Sequence, residues 1–278
     1  MRRNQIIVIS ACLALLIAIY IFGNTKKPTD ANAGPMGQGH AQPTQPAAET
    51  LDILAYINSD SVKGKADKPT QQAIDAAEKE GAYETLVETY KKMDKPIAVA
   101  YYRVKAAQKA NGIQQYVAAG DYNATLMQTA PDDKVRRFLM ENVISCYKSA
   151  VGLDSTNTAN RIRLAGAYME EGSQPMSGVL MLLDIVKKDS TNVDAQLMLG
   201  RFGLISGQID KAIARFEKVL YLQPQNSEAL YSLAEAYRNK GDKQKAIELF
   251  EKCEKTLTDP AAKKEIEKLI ESIKKPTS

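Results

Sequence analysis

The sequence predicts an all-α chain, a solenoid of about four to five helical hairpins, and three observations predict it. The first is a self-match at a spacing of 34 residues. Leu199, Gly200, Gly207, Ala212 and Phe216 recur as Leu233, Ala234, Gly241, Ala246 and Phe250. A fixed period of this length, with small and large residues at constant offsets, is what stacked helix pairs produce. The second is an upstream unit in the same order with one inserted residue: Leu164, Ala165, Tyr168 and Gly172, then Gly178 and Leu182. The third is an amphipathic segment at 263–274, with Ile266, Leu269, Ile270 and Ile273 on one helical face. It suits the cap that the exposed end of a solenoid requires.

Each position in the period has a steric reason. Gly200, Ala234 and Ala246 belong where two helix axes approach closely, and Phe216, Tyr237 and Phe250 fill the space between hairpins. Gly207 and Gly241 end first helices in a left-handed cap, where a Cβ would clash. Upstream the pattern decays while the hairpin rhythm continues. Val143, Ile144, Tyr147, Ala150 and Leu153 read as a second helix ending at Asp154-Ser155. Residues 83–93 and 97–110 read as another pair, broken at Lys95-Pro96. The hairpins run from about 69 to 258.

The segment 192–224 resembles the tetratricopeptide repeat, whose pattern runs W-x2-L-G-x2-Y, then A-x3-F, then P. Leu199-Gly200 match its Leu-Gly pair, Ala212 and Phe216 its second helix, and Pro224 closes the unit. The tryptophan position holds Arg161, Gln196 and Leu230, and Gly203 stands in place of the tyrosine. The resemblance covers 158–258 well and 70–157 loosely. It implies a right-handed solenoid whose first helices line a concave groove for a protein or peptide partner. On these helices it places Ile162, Gly166 and Met169, then Leu197, Arg201, Leu204 and Ile205, then Tyr231, Glu235 and Arg238. The expected partner-binding set is Met169, Leu197, Arg201, Leu204, Tyr231, Glu235 and Arg238. Ile162, Leu197 and Ile205 are equally readable as helix-packing residues. The paired Lys and Asn with which some members clamp a chaperone's C-terminal carboxylate are absent, so that activity is not carried over.

Residues 6–22, IIVISACLALLIAIYIF, carry no charge and follow Met1-Arg2-Arg3. At about 1.5 Å per residue they span roughly 26 Å, the short end of a bilayer core. A cleaved signal peptide would use Ala31-Asn32-Ala33, well past the apolar run and past Lys26-Lys27. A lipoprotein would use Cys12, yet the apolar run continues beyond it. An uncleaved anchor is the preferred reading. Arg2 and Arg3 weakly favour a cytoplasmic N-terminus, with the repeats on the extracytoplasmic or periplasmic side. Residues 24–49, rich in Gly, Pro, Gln and Ala, bury too little to order themselves and form a tether reaching roughly 25–30 Å. A short helix is expected at 51–57 and a loose stretch at 59–68. The organisation is therefore an anchor at 1–23, linker at 24–68, divergent repeats at 69–157, tetratricopeptide-like units at 158–258, and cap and tail at 259–278.

Composition narrows the function. The net charge of +4 is shared with the residues flanking the apolar run, and no basic stripe rises above a solvated helix face, which argues against a nucleic-acid partner. The one histidine, His40, lies in the tether, so neither a histidine acid–base pair nor a multi-histidine metal site is expected. Cys12, Cys146 and Cys253 lack metal or redox spacing, and the two within the fold are expected on buried faces. Asp132-Asp133 and Glu170-Glu171 fit helix ends. Asn123-Ala124-Thr125 has the form of a glycosylation acceptor within a helix. No enzyme, cofactor, metal or small-molecule substrate is expected. Two functions lead: a membrane-tethered scaffold for one stable partner, or a factor holding immature clients during export or cytochrome maturation. Self-assembly through exposed end repeats stays open, although the Lys/Glu-rich terminal helix argues against it.

Overall fold

The computed structural model describes residues 50–59 and 61–275; the expected anchor at 6–22 and the tether at 24–49 lie outside them. All regular elements among the described residues are helical. None is long and apolar enough to cross a membrane. The chain forms two compact units that divide between Ser206 and Gly207.

The first unit opens with α1 (Ile53–Asn58), a 3-10 turn (Lys63–Lys65) and α2 (Lys68–Glu80). There follow α3 (Tyr83–Lys92), α4 (Pro96–Ala110), α5 (Ile113–Met127) and α6 (Asp133–Leu153). It closes with α7 (Thr158–Glu171), α8 (Pro175–Lys188) and α9 (Val193–Ile205). The most extensive packing joins α3 to α4, α5 to α6 and α7 to α8. These are successive helical hairpins, the arrangement expected of a tetratricopeptide-like fold. The second unit holds α10 (Ile209–Leu222), α11 (Ser227–Lys240), α12 (Lys243–Thr256) and α13 (Pro260–Lys274), with α11 and α12 as its hairpin.

One expectation is corrected at the start of the first unit. The composition of 59–68 predicts a loose stretch, yet Val62 is fully buried beside Ile57, Ile74, Leu86 and Tyr90. Lys63 reaches Asp75 at 2.5 Å and Glu78 at 3.4 Å. A single buried valine and a lysine with two carboxylate partners hold this polar stretch, and its composition averages both away.

Local chemistry sets the helix boundaries. Asn157, Asn192 and Asn226 cap α7, α9 and α11, each accepting a hydrogen bond from the backbone N–H three residues on. Gly172 and Gly241 end α7 and α11 at φ of 82° and 91°, a region open to glycine. Small residues do what the period requires of them. A Cβ on Gly178 would lie 2.3 Å from the Ala165 carbonyl oxygen, so its absence lets α8 rest directly on α7. Gly120 plays the same part between α5 and α6, where a Cβ would meet the Tyr147 ring at 2.5 Å.

Large residues fill the cores. Leu139 and Leu182 are fully buried in the first unit, as are Phe216 and Phe250 in the second. Tyr237 ties three helices of the second unit: its hydroxyl donates to Glu217 of α10 at 3.0 Å and accepts from Lys245 of α12 at 2.8 Å. The terminal helix α13 buries Ile266 and Ile270 and presents a polar outer face.

Candidate functional site

The expected partner-binding residues fall on three first helices, α7 and α9 in one unit and α11 in the other. On α7, Ile162 is buried, while Met169 at the C-terminal end is half-buried against the cluster that contains Ala165, Leu182 and Leu199. On α9, Leu197 is only 5% exposed, Arg201 and Leu204 are half-buried, and Ile205 is 85% exposed. On each helix the candidates nearer the C-terminal end are the more open ones. Leu197 offers a partner almost no surface. Ile205, equally readable as a packing residue, is the most exposed large apolar side chain among the described residues.

On α11 the same division holds. Tyr231 is 8% exposed, with its ring edge-on to Phe250 at a centroid distance of 5.4 Å. It is a core aromatic, and its phenol ring is engaged in the edge-to-face geometry such pairs prefer. Glu235 and Arg238, one helical turn apart, form an ion pair. The Glu235 carboxyl is largely enclosed and its Oε1 has no hydrogen-bond partner. Burial pushes its pKa above the ordinary carboxylate range, against the opposing pull of the Arg238 guanidinium. The pair is thus a set of partly enclosed charges on the first-helix face.

Charged contacts also hold first helices to their neighbours. Arg161, at the position where the repeat pattern has tryptophan, reaches Asp184 of α8 at 2.6 Å. Arg163 approaches Asp121 of α5 at 3.4 Å, and the same carboxylate accepts from the Tyr147 hydroxyl at 2.7 Å. A separate shallow depression lies between the α2–α3 junction and the end of α4, lined by Glu78, Gly81, Tyr83, Lys105 and Lys109. Lys109 closes part of it by donating to the Gly81 carbonyl at 3.0 Å.

Other sequence features resolve into structure. Asn123 is fully buried in α5, where its amide donates to the Ala119 carbonyl at 2.9 Å and its oxygen accepts from Asn142 at 3.0 Å. No glycan fits at such a position, so the triplet is a buried polar contact between α5 and α6. Asp132 caps α6 by accepting from the Val135 N–H at 2.9 Å. Cys146 and Cys253 are buried thiols, each pushed up to about 12 by desolvation. Thiolate chemistry at neutral pH is closed to both. No group of three or more His, Cys, Asp or Glu among the described residues is arranged to hold a metal ion.

Comparison with known proteins finds partial likenesses. A family model described as Regulator of microtubule dynamics protein 1-3 matches residues 195–274. The Peroxisomal targeting signal receptor of Candida albicans is 37% identical over 73 residues, 26% of this chain and 12% of that protein. The receptor of the same name from Saccharomyces cerevisiae is 32% identical over 103 residues, 36% of this chain and 16% of that protein. The chain thus spans less than a fifth of the length of either receptor. Among solved structures, MamA covers 63% of this chain and 90% of its own at 20% identity and a TM-score of 0.47. TTC0263 of Thermus thermophilus covers 70% and 98% at 16% identity and a TM-score of 0.49. The chain is an array of helical hairpins, part of which is similar to part of these larger receptors.

Proposed function

We propose that this chain is a membrane-tethered scaffold that binds a segment of a partner protein along the C-terminal ends of its first helices. The observation that carries the reading is the placement of Met169, Arg201, Leu204 and Ile205. Apolar and cationic side chains sit partly or largely exposed toward the C-terminal ends of α7 and α9. An apolar-centred surface with charges around it suits a segment with spaced hydrophobic anchors. The partial similarity to proteins named as targeting signal receptors favours a short peptide segment as the ligand. The anchor is residues 6–22, read as a single span from their sequence, with the repeats on the extracytoplasmic side.

The full chain solubilised in detergent, used as bait beside its Leu204→Glu form, tests the binding surface. One stoichiometric partner lost from the variant supports the scaffold. Equal capture by both forms refutes the surface. The alternative, an assembly or export factor holding immature clients, draws on Ile205, whose exposure suits clients that display apolar segments. It predicts many substoichiometric partners, all weakened by Leu204→Glu. Alkaline extraction of membranes tests the tether, since an anchored chain stays in the pellet.

A further inference from the structure

Residues 51–58 form an arm that lies on the first unit without belonging to any of its hairpins. Asp52 caps α1 by accepting from the Ala55 N–H at 3.0 Å, and at the other end the Ser59 hydroxyl donates to the Tyr56 carbonyl at 2.6 Å. Six residues are too few for a helix to hold itself in water, so α1 is helical because of what it packs on. Its backbone packs chiefly with the adjacent 3-10 turn, and side chains make the remaining contacts. Ile57 is fully buried with Ile74, Leu86, Tyr90 and Val99, in the cluster of α2, α3 and α4. Ile53 and Tyr56 bridge from that cluster to a second one, which holds Ile97, Met127, Val135 and Leu139. Leu51 packs on the second cluster alone, while Asp52, Leu54, Ala55 and Asn58 face solvent.

The attachment divides in two. After the arm the chain is pinned by buried Val62, by Lys63 between Asp75 and Glu78, and by Lys95, which donates to the Ser61 carbonyl at 2.8 Å. Among the described residues, no hydrogen bond or ion pair joins 51–58 to the helices beneath them. The arm is held by apolar contact alone, with Ile53, Tyr56 and Ile57 at i, i+3 and i+4. An amphipathic ligand helix engages a groove in the same way. We propose that residues 51–57 are a releasable resident ligand, and that the groove beneath them docks a partner helix of the same apolar spacing when the arm leaves. Val62 and Lys63 stay in place during the exchange. A short link gives the arm an effective concentration on the order of millimolar, so the groove is filled at rest and opens only to a competitor with comparable contacts. The surface is separate from the one that ends α7 and α9, since Met169 packs on the different cluster of Ala165, Leu182 and Leu199.

The test is a fluorescent peptide of residues 50–59 added to the full chain in detergent, with a scrambled peptide as control. The wild type is compared with the double variant Ile53→Asp, Ile57→Asp, which releases the arm. The variant should keep its helical circular dichroism and cooperative melting, and should bind the peptide at least tenfold tighter than the wild type, whose groove is occupied. Hydrogen exchange of the wild type should show the amides of α1 opening at least tenfold faster than those of α3 and α4. Loss of cooperative melting in the variant, or equal protection of α1 and α3, makes the arm a fixed part of the core and overturns its release. A folded variant that binds the peptide no better than the wild type overturns the groove as a docking site.

Discussion

Single residues in this fold are judged by what surrounds them, and the glycines show it most sharply. Gly178 and Gly152 both lie inside helices, and helix propensity alone predicts that alanine stabilises either by about 0.5–1 kcal/mol. At Gly152 an added Cβ meets nothing within 4 Å, so the propensity gain should appear in full. At Gly178 the Ala165 carbonyl oxygen stands 2.3 Å from the new atom, and α7 and α8 must part. Gly178→Ala should cost about 1–3 kcal/mol, measured by urea denaturation beside Gly152→Ala. Glu235 carries a pH dependence. Its folded pKa is raised, so its contribution is present below the ordinary carboxylate range and is lost as pH rises through the folded value. Glu235→Gln should therefore be more stable than the parent at pH 7, with the difference shrinking toward pH 4. Denaturation midpoints across that range check the sign. Cys146 and Cys253, buried with thiol pKa values near 12, should resist iodoacetamide in the native protein and react only on unfolding.

At the scale of elements, the caps extend the repeat beyond its helices. Asp154-Ser155-Thr156-Asn157 and Asp189-Ser190-Thr191-Asn192 are the same turn used twice. Asp154 accepts from the Thr156 N–H and Asp189 from the Thr191 N–H, both at 2.9 Å, before the asparagine caps the next helix. Gln223-Pro224-Gln225-Asn226 keeps the asparagine and replaces the rest. A pattern keyed on helix interiors passes over this signal, although it stands in the chain at the repeat spacing. Asn226→Ala should destabilise by about 1 kcal/mol, and Asn226→Asp by much less, since a carboxylate accepts the same bond from the Ala229 N–H. The hairpin α5–α6 was harder to read. Gly120 and Asn123 keep the offset of Ala234 and Tyr237, a small residue and then a buried one three places on. A buried asparagine in place of the expected aromatic hides the match, because its burial depends on Asn142 and the Ala119 carbonyl.

For the molecule as a whole, the proposed binding surface and the packed core divide along the first helices. Leu204 is half-buried near the end of α9, so Leu204→Glu should leave the helical circular dichroism nearly unchanged while lowering partner capture about tenfold, or roughly 1.4 kcal/mol. A loss of helical signal would show that Leu204 is a packing residue instead. Leu197→Glu is the contrasting variant. At 5% exposure it would bury an unpaired charge, and it should reduce stability by several kcal/mol before any effect on binding is measured.

The array of helical hairpins followed from sequence, because it rests on local geometry repeated at a fixed period. A glycine that must adopt positive φ, or a small residue beneath a neighbouring helix, leaves the same mark in every unit. Which first-helix side chains meet solvent was decided by tertiary packing alone. Leu197, Leu204 and Ile205 share one helix and one chemical class, yet their exposure runs from buried to 85%. Periodicity places a side chain on a helix, whereas its burial depends on what the neighbouring helices cover, and nothing local in the chain encodes that.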